Sequence, residues 1–498
     1  MPAVRLSRIS FHYEDPIEVL TDLNLHLDTG WTGVVGENGC GKTTLLSILS
    51  GRLVADAGQV ECVPADSTRL LCRQRVSELD DDVAAFGNSW ERGACRLRAR
   101  LGMDEQQLSR WSTLSPGERK RWQVGAALWR RPDVLLLDEP TNHIDASARA
   151  LLVDALQRFR GVGVVVSHDR LLLDELCQRI VRIDRGIATV YRGNYSSACA
   201  QWQAERTQLQ QAHAAARQQQ RTLDRRIASV RRQRAEAEAK IAASSRIKGP
   251  RDSDARSINV KGRVKNAEAK LSRKVHVLRG QTERATNDVA RLEVHRQRGR
   301  SLFVDYVPAP MPRLISLERA DVSAGDTVVL RDVTVALERT SRVHIAGDNG
   351  AGKTSLLRAL LDAAGERGKR MLYLPQEIDG AFAEQLRADI QGSEQAVRER
   401  VLSIAAALGL DPSRALGSSN PSPGELRKLM MAWGLGSSVW AVLVDEPTNH
   451  LDLPSIERLE YALAGYPGAL LMVTHDATLA AAATNETWTV REGGVVVD

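Results

Sequence analysis

Two glycine-rich segments have the composition of a phosphate-binding loop. They are GENGCGKTT at residues 36–44 and GDNGAGKTS at 347–355, and both fit the pattern G-x-x-x-x-G-K-[ST]. Glycines let backbone N–H groups turn toward phosphate, and the following helix adds the positive end of its dipole. We therefore predict that Lys42 and Lys353 contact the β- and γ-phosphates of ATP. The other predicted nucleotide-binding positions here are Gly36, Asn38, Gly39, Gly41, Thr43, Thr44, Gly347, Asn349, Gly350, Gly352, Thr354 and Ser355.

Two apolar runs each end in a pair of carboxylates. Asp138 and Asp445 end the runs, a suitable place for a carboxylate beside Mg²⁺. Glu139 and Glu446 follow directly, and we predict that they polarise the attacking water as general bases. The predicted Mg²⁺ positions are Thr43, Gln74, Asp138, Thr354, Gln376 and Asp445, with the threonines acting through their hydroxyls.

Histidines and glutamines recur at matched positions around these carboxylates. His168 and His475 each lie 29 residues beyond the glutamate, at the end of the next apolar run. A lone histidine is usually structural, but the identical spacing and context favour a γ-phosphate contact. Gln74 in LLCRQ and Gln376 in YLPQ are placed to couple the metal to a helical subdomain. The alternative for each glutamine is a solvated loop residue.

The segments LSPGE and PSPGE place a serine at the start of a helix after a loop. The serines are Ser115 and Ser422, followed by Gly117 and Gly424. Amides at the helix N-terminus, together with the serine hydroxyl, can bind the γ-phosphate of a nucleotide held by the opposite half of the chain. All four residues are therefore predicted nucleotide-binding positions.

These motifs belong to an internal repeat, which predicts two copies of one domain. The glycine-rich loops are offset by 311 residues, and the other motif pairs by 307. Those pairs are LSPGE with PSPGE, VLLLDEPTNHID with AVLVDEPTNHLD, and VVVSHD with LMVTHD. Continuous apolar runs such as VLLLDE are typical of buried parallel strands. Strands alternating with helices predict an α/β fold in each half.

The insert between the copies has a different composition. Residues 201–300 hold 25 Lys+Arg and 10 Asp+Glu, and Trp202 is their one aromatic residue. We predict two antiparallel helices joined by a loop at 244–263, and domains at 1–196, 197–305 and 306–498. The segment after the loop has residues at the spacing of a coiled-coil seam, namely Leu271, Val275, Leu278, Thr282, Ala285, Val289 and Leu292. A weaker seam before the loop consists of Leu223, Ile227, Val230, Ala237 and Ile241. Basic residues cluster around the turn between these helices; they are Arg246, Lys248, Arg251, Arg256, Lys261, Arg263 and Lys265.

Composition narrows the class of protein. The net charge of +6 combines +15 in residues 201–300 with −9 in the remainder, so a polyanionic partner is expected for the middle segment. No run of about 18 uncharged apolar residues occurs, and the start lacks the apolar core of a signal peptide. We expect a cytoplasmic protein without membrane contact. The six cysteines form no C-x-x-C pair, which indicates reduced thiols.

The order of the motifs resembles the ATP-binding cassette superfamily. Tandem cassettes without membrane spans, both with D-E-P-T-N-H-[IL]-D and joined by a charged helical linker, resemble its ABC-F family. The resemblance covers nearly the whole chain. It implies an ATPase that uses ATP and Mg²⁺ and closes head to tail within one chain, pairing Lys42 with Ser422 and Lys353 with Ser115. It also implies binding at the ribosome's tRNA exit site, with the linker reaching toward the peptidyl-tRNA and the peptidyl-transferase centre.

The sequence departs from a symmetrical pair of cassettes at two points. Tyr13 is placed to stack on adenine in the first cassette, whereas Ser323 occupies the matching position in the second. We expect weaker nucleotide binding there, since stacking on an aromatic is worth ~1–3 kcal/mol per base. The serine segments LSPGE and PSPGE, called the signatures from here on, differ in their first residue. It is Leu114 in the first cassette and Pro421 in the second. Both general bases remain, so two working sites are expected.

Several functions are compatible with these features. The long basic linker and the absence of a helical arm between Gln74 and Ser115 favour antibiotic-resistance members of the family over general translation factors. No C-terminal coiled coil is expected after His475. The linker could instead be an inert solvated spacer. An importer's energy subunit has a short linker, and a DNA-repair ATPase fits the acidic cassettes poorly.

Overall fold

The computed structural model contains two compact units. The first comprises Met1–Ala198 with Arg298–Asp498, and the second comprises Cys199–Gln297. The structure describes residues 1–13, 18–142, 144–244, 270, 273, 276–279, 281–282, 286, 306–376, 378, 380–411 and 422–497.

The first half of the chain alternates short strands with helices. Its strands are β1 Ala3–His12, β2 Glu18–Leu27, β3 Gly30–Gly36, β4 Ala57–Val63, β5 Arg69–Cys72, β6 Val134–Asp138, β7 Val162–Val166, β8 Arg179–Asp184 and β9 Ile187–Arg192. Its helices are α1 Lys42–Leu49, α2 Asp81–Asn88, α3 Arg92–Arg100, α4 Pro116–Trp129, α5 Ala146–Gln157 and α6 Arg170–Leu176, with a 3-10 helix at Glu105–Thr113.

A six-stranded sheet forms the centre of this cassette, in the order β5-β6-β7-β3-β8-β9. The pairs are parallel except β8 with β9, which is antiparallel. All five residues of β6 and of β7 are buried, because helices cover both faces of a parallel sheet. β3 and β6 end at Gly36 and Asp138, so the glycine-rich loop and the carboxylates lie at one edge. A smaller antiparallel sheet has the order β2-β1-β4.

The second half repeats this plan. Its strands are β10 Arg313–Ala324, β11 Thr327–Glu338, β12 Arg342–Ala346, β13 Met371–Leu374, β14 Ala441–Asp445, β15 Ala469–Val473, β16 Glu486–Arg491 and β17 Gly494–Val497. The helices after the linker are α8 Lys353–Ala364, α9 Gly380–Gly392, α10 Gln395–Ala407, α11 Pro423–Gly436, α12 Leu453–Ala464 and α13 Ala477–Ala483, with a 3-10 helix at Gly365–Arg370. The core sheet order, β13-β14-β15-β12-β16-β17, matches that of the first half strand for strand, and β10 pairs with β11.

Helix α7, Tyr195–Ser244, continues from the first cassette into the second unit. Within that unit Leu223, Ile227 and Val230 form a buried apolar cluster with Leu278. Gln220 Nε2 donates to Thr286 Oγ1 at 3.1 Å. Because later residues of α7 meet earlier residues of the returning chain, the two segments run antiparallel. Several features predicted for the linker fall wholly or almost wholly outside the described residues, so their predicted roles stay predictions. They are the loop at 244–263, its basic cluster, and Leu271, Val275, Ala285, Val289 and Leu292.

The predicted fold class is confirmed: two α/β cassettes are joined by an antiparallel helical hairpin. Among the described residues, no helix is both long enough and apolar enough to cross a membrane.

Candidate functional site

The glycine-rich loops of the two halves have the same geometry. Lys42 Nζ donates to the carbonyls of Gly36 and Glu37 at 2.8 and 2.9 Å. In the second half Lys353 Nζ makes the matching bonds to the carbonyls of residues 347 and 348, at 2.7 and 2.9 Å. Gly39 has φ 80°, and a Cβ there would meet nothing within 4 Å. Each loop is therefore an open concave backbone with a buried ammonium group folded against it. We call the Lys42 loop with its neighbours site 1, and the Lys353 loop with its neighbours site 2.

A threonine hydroxyl faces a carboxylate in each site. Thr43 Oγ1 donates to Asp138 Oδ2 at 3.1 Å, and Thr354 Oγ1 donates to Asp445 Oδ2 at 2.7 Å. Burial raises the pKa of both aspartates, against the hydrogen bond from the threonine and the charge of the loop lysine. A cation between hydroxyl and carboxylate would offset that cost, because hard cations prefer oxygen ligands. Four of the six predicted metal positions are thus brought together in two pairs.

Glu139 and Glu446 follow the strand ends in a strained backbone conformation. Both have φ 47°, a left-handed region uncommon for residues other than glycine and often found at functional sites. Burial, then the charge of the preceding aspartate, raises the pKa of Glu139 to about 8 and that of Glu446 to about 7. Glu139 Oε1 is buried and has no aligned hydrogen-bond partner among the described residues. It is an orphan acceptor, suited to hold a water molecule.

The two histidines lie beside these glutamates. His168 Nε2 is 3.2 Å from Glu139 Oε1, and His475 Nε2 is 3.4 Å from Glu446 Oε1. Burial, with the loop lysine adding to it, lowers the pKa of His168 to about 3 and that of His475 to about 4. Both imidazoles are therefore neutral at pH 7, so these contacts are not ion pairs. His475 Nε2 also lies 3.1 Å from Asn349 Oδ1.

Ser115 and Ser422 cap helices α4 and α11. Each hydroxyl accepts from the N–H of the glutamate three residues later, at 3.2 and 3.3 Å, and donates to its carboxylate at 2.8 Å. Gly117 and Gly424 are buried in the first turn. The capping box leaves the helix N-terminus well defined. Pro421 lies outside the described residues.

The two predicted glutamines and the two positions matched for adenine stacking are exposed. Gln74 and Gln376 lie just after the edge strands β5 and β13. Tyr13 is 53% exposed, and its hydroxyl lies 3.1 Å from Thr44 Oγ1 beside the first loop. Ser323 is exposed and pairs with Val328 in the β10–β11 hairpin.

Two buried cations were missed by sequence reasoning. Lys120 in α4 donates to the carbonyls of Arg73 and Asp138, the latter at 2.8 Å. Arg427 in α11 donates to the carbonyls of Gln376 and Glu446, at 2.6 and 2.7 Å. The available signal was a basic residue five positions after each signature serine.

The first glycine-rich loop faces the second cassette. The Asn38 N–H donates to Asp452 Oδ2 at 2.7 Å, and Asn38 Nδ2 donates to the His450 carbonyl at 3.1 Å. Although burial opposes it, hydrogen bonds from Ser455 and Asn38 hold the pKa of Asp452 below its usual range. Burial lowers the pKa of Lys428 in α11, and Glu37 of the first cassette is among the carboxylates that oppose this. Site 1 therefore lies against the signature helix of the other cassette.

A carboxylate of the first cassette acts electrostatically on two groups of site 2. Burial lowers the pKa of Lys353, and Asp145 of the first cassette is among the carboxylates that oppose this shift. Asp145 also opposes the lowered pKa of His475. Asp145 caps α5 just after the D-E-P-T-N-H-I motif, as Asp452 caps α12.

Ionic contacts join the two cassettes beside site 1, along a boundary that we call the site 1 edge. Arg170 Nη1 donates to Glu460 Oε2 at 2.7 Å, and Arg458 Nη2 donates to Glu37 Oε1 at 3.2 Å. Tyr195 donates to Glu457 Oε1 at 3.1 Å. The equivalent boundary beside site 2 is the site 2 edge, whose residues are matched here through the 307-residue offset of the internal repeat. Ala477 matches Arg170, Val153 matches Glu460, Leu151 matches Arg458 and Ala150 matches Glu457.

Both sites fit ATP with Mg²⁺. The open loop backbone suits phosphate, and each threonine–aspartate pair suits a hard cation. The orphan oxygen of Glu139 suits an attacking water. The fold and these sites define a protein of two tandem ATP-binding cassettes.

Comparisons with known proteins agree with this class. A family model described as ABC transporter matches residues 20–142 and 330–449, and a second with that description matches 181–249. The tylosin resistance ATP-binding protein TlrC of Streptomyces fradiae is 31% identical over 98% of this chain and 98% of its own. The ribosome protection protein VmlR of Bacillus subtilis is 25% identical, covering 99% and 87%. The energy-dependent translational throttle protein EttA of Haemophilus influenzae is 27% identical, covering 92% and 86%.

A solved structure shares the fold. The RNase-L inhibitor superposes with a TM-score of 0.60 over 98% of this chain and 90% of its own, at 16% identity. The chain belongs to the ABC-F family of the ATP-binding cassette superfamily, and it is an ATPase.

The ion pair at the site 1 edge can be tested by substitution. Glu460→Val leaves the partly buried Arg170 without this carboxylate. Cassette closure should then weaken by about tenfold or more, because a hydrogen bond between charged groups contributes about 1.5–3 kcal/mol. The double variant Arg170→Ala/Glu460→Val installs the residue types of the opposite edge and should recover most of the loss, since apolar replacement of a buried pair is often near neutral. The measurement is the ATP concentration for half-maximal closure, followed by an intramolecular FRET pair. A double variant as weak as the single one contradicts the role given to the pair.

Proposed function

We propose that this ATPase binds the ribosome and uses ATP-driven cassette closure to insert its linker, residues 197–305, near the peptidyl-transferase centre. There it protects the ribosome from large-subunit antibiotics. The observation that carries the proposal is the pairing of Asn38 with Asp452, through which one cassette's phosphate loop meets the other cassette.

Similarity over full length supports the ribosomal role. TlrC and VmlR are named for tylosin resistance and ribosome protection, and this chain aligns with 98% and 87% of their lengths. The alignments include the linker, so the likeness is not limited to the cassettes. Displacement of a drug would be indirect, since the sequence of the linker turn is polar and basic and suits contact with tRNA and ribosomal RNA.

The described part of the linker also suits an RNA partner. Along α7, several arginines are exposed while Leu223 is buried against the returning segment. They include Arg217, Arg221, Arg225 and Arg226. Exposed guanidinium groups on a rigid helix can pair with backbone phosphates and release counterions. An inert spacer needs no such excess of positive charge.

Each ATP site is proposed to be composite. At site 1, Lys42, Thr43 and Asp138 would hold the nucleotide and Mg²⁺, and Ser422 would close the site. At site 2, Lys353, Thr354, Asp445 and Ser115 would act likewise. When bound, the metal would supply positive charge that offsets the charge of the transferring phosphoryl group. Glu139 and Glu446 accept a proton from the attacking water, and the neutral His168 and His475 can donate a hydrogen bond to the γ-phosphate. Tyr13 stacks on adenine at site 1. The protein acts as a cytoplasmic monomer without a transmembrane subunit.

A general translation factor of the same family is the second candidate. The similarity to EttA, named as a translational throttle protein, favours it. The two candidates differ in whether full-length protein changes drug tolerance or the translation of particular messages.

The double variant Glu139→Gln/Glu446→Gln should retain ATP binding but lose turnover by at least about 100-fold, because general bases contribute roughly 10²–10⁴-fold. ATP-loaded protein should accumulate on ribosomes in a sedimentation assay. Glu61→Gln/Glu338→Gln changes two exposed carboxylates on strands remote from both sites and serves as the control. Normal hydrolysis by the first double variant would remove both glutamates from the chemistry.

Replacing Arg246, Lys248, Arg251 and Arg256 by Ala should weaken ribosome binding. The slope of log affinity against log salt should flatten by about 3, since each lost phosphate contact contributes ~0.7–0.9. ATP turnover without ribosomes should be unaffected. The control removes four exposed cassette arginines, Arg96, Arg319, Arg331 and Arg491. Equal affinity and slope in the linker variant would support the inert spacer.

Expression in a sensitive bacterium should raise tolerance to drugs of the peptidyl-transferase centre or tunnel entrance, and not to small-subunit drugs. Deletion of 244–263 should abolish this tolerance while ATP turnover persists. Growth-inhibitory concentrations measure both effects. If no large-subunit drug is affected, yet translation of particular messages suffers without the protein, the translation-factor candidate is correct.

A further inference from the structure

Each helix that carries a signature serine also carries a buried cation. Lys120 in α4 is 3% exposed, and Arg427 in α11 is 2% exposed. Among the described residues neither cation forms an ion pair with a carboxylate; each donates to backbone carbonyls on two other segments. One segment follows the edge strand of the core sheet, and the other is the strand end that carries the catalytic carboxylates.

Packing alone does not account for these two cations. Burying a charge without a carboxylate partner is costly, and apolar residues of similar volume usually serve a core at least as well. What a buried cation adds is direction, because its hydrogen bonds fix named carbonyls relative to the helix. Arg427 fixes the backbone of Gln376 and Glu446, with N–O distances of 2.6 and 2.7 Å.

The hydrogen bond from Arg427 to the Glu446 carbonyl joins two elements that belong to different ATP sites. Under the composite sites of the proposed function, Ser422 at the start of α11 closes the nucleotide at site 1. The influence of Glu37 on Lys428, one residue beyond Arg427, agrees with α11 facing site 1. Glu446, whose carbonyl accepts from Arg427, belongs to site 2. Arg427 therefore joins the helix that completes site 1 to the strand end that holds the base of site 2.

Lys120 forms the reciprocal connection. Its helix begins at Ser115, which completes site 2, and its ammonium group holds the carbonyl of Asp138 in site 1 at 2.8 Å. The two cations differ in reach. Lys120 bonds carbonyls one residue earlier in both segments than Arg427 does, since an ammonium group extends less far than a guanidinium group.

We propose that Arg427 and Lys120 are positioning residues that couple the two ATP sites, so that nucleotide at one site strengthens binding at the other. This rests on the composite sites of the proposed function. Binding at site 2 orders Glu446 and its strand end; Arg427 transmits that order to α11 and thus to Ser422 at site 1. Lys120 carries the same coupling in the opposite direction. Reciprocity follows, because coupling between two binding equilibria is the same in both directions.

The test measures ATP affinity at site 1 with site 2 intact or disabled. Full-length protein in the Glu139→Gln/Glu446→Gln background is labelled with 8-azido-ATP, and mass spectrometry assigns the label to each cassette. The coupling factor is the ATP dissociation constant of site 1 in the Lys353→Ala variant divided by the same constant in protein with Lys353 intact. We expect at least about fivefold with Arg427 present, the lower end of typical coupling. Arg427→Met should reduce it to about one. Arg427→Lys should restore most of it, since Lys120 joins the same two segments in the first cassette through carbonyls one residue earlier.

A control separates coupling from general destabilisation. Met431→Ala removes a buried side chain from the same helix, lowers the thermal unfolding midpoint and should leave the coupling factor in place. The proposal is overturned if the factor is one with Arg427 present, if Arg427→Met leaves it unchanged, if Arg427→Lys behaves as Arg427→Met does, or if Met431→Ala abolishes it equally. Absence of labelling at both sites would instead reject the proposed function itself.

Discussion

The contact between the Asn38 N–H and the Asp452 carboxylate, 2.7 Å long, sets the arrangement of both cassettes. A phosphate loop is an array of N–H groups, and this one directs a donor at a carboxylate from the other half of the chain. Hydrogen bonds from Ser455 and Asn38 hold the pKa of Asp452 low, so its charge is present to accept. This contact places the first glycine-rich loop against the second cassette. We propose that Ser422 at the start of α11 completes site 1 and that Ser115 at the start of α4 completes site 2.

Symmetry of the fold does not extend to the chemistry of the two edges. The site 1 edge has Arg170–Glu460 and Glu37–Arg458, whereas Ala477, Val153 and Leu151 stand at matching positions beside site 2. Salt screens exposed ion pairs but hardly affects apolar contact. Tyr13 adds an aromatic at site 1 that Ser323 cannot supply at site 2. The two edges therefore differ in charge and in aromatic content.

The motifs allowed much of this to be predicted from sequence. Apolar runs ending in Asp-Glu predicted buried parallel strands with carboxylates at their ends, because short continuous apolar runs suit a sheet covered on both faces. The positive φ of Glu139 and Glu446 could not be predicted, since it depends on the surrounding loops. Lys120 and Arg427 were missed because a basic residue on a helix usually indicates a solvated face. Burial and distant carbonyl partners are tertiary properties that local pattern does not encode.

The central claim is that each nucleotide is closed by the other half of the same chain. An experimental structure of the Glu139→Gln/Glu446→Gln chain with ATP and Mg²⁺ tests it most directly. The γ-phosphate at Lys42 should accept a hydrogen bond from Ser422 of the same molecule, and the γ-phosphate at Lys353 should accept one from Ser115. Nucleotides that contact only their own cassette, or a signature serine supplied by a second molecule, would contradict the account.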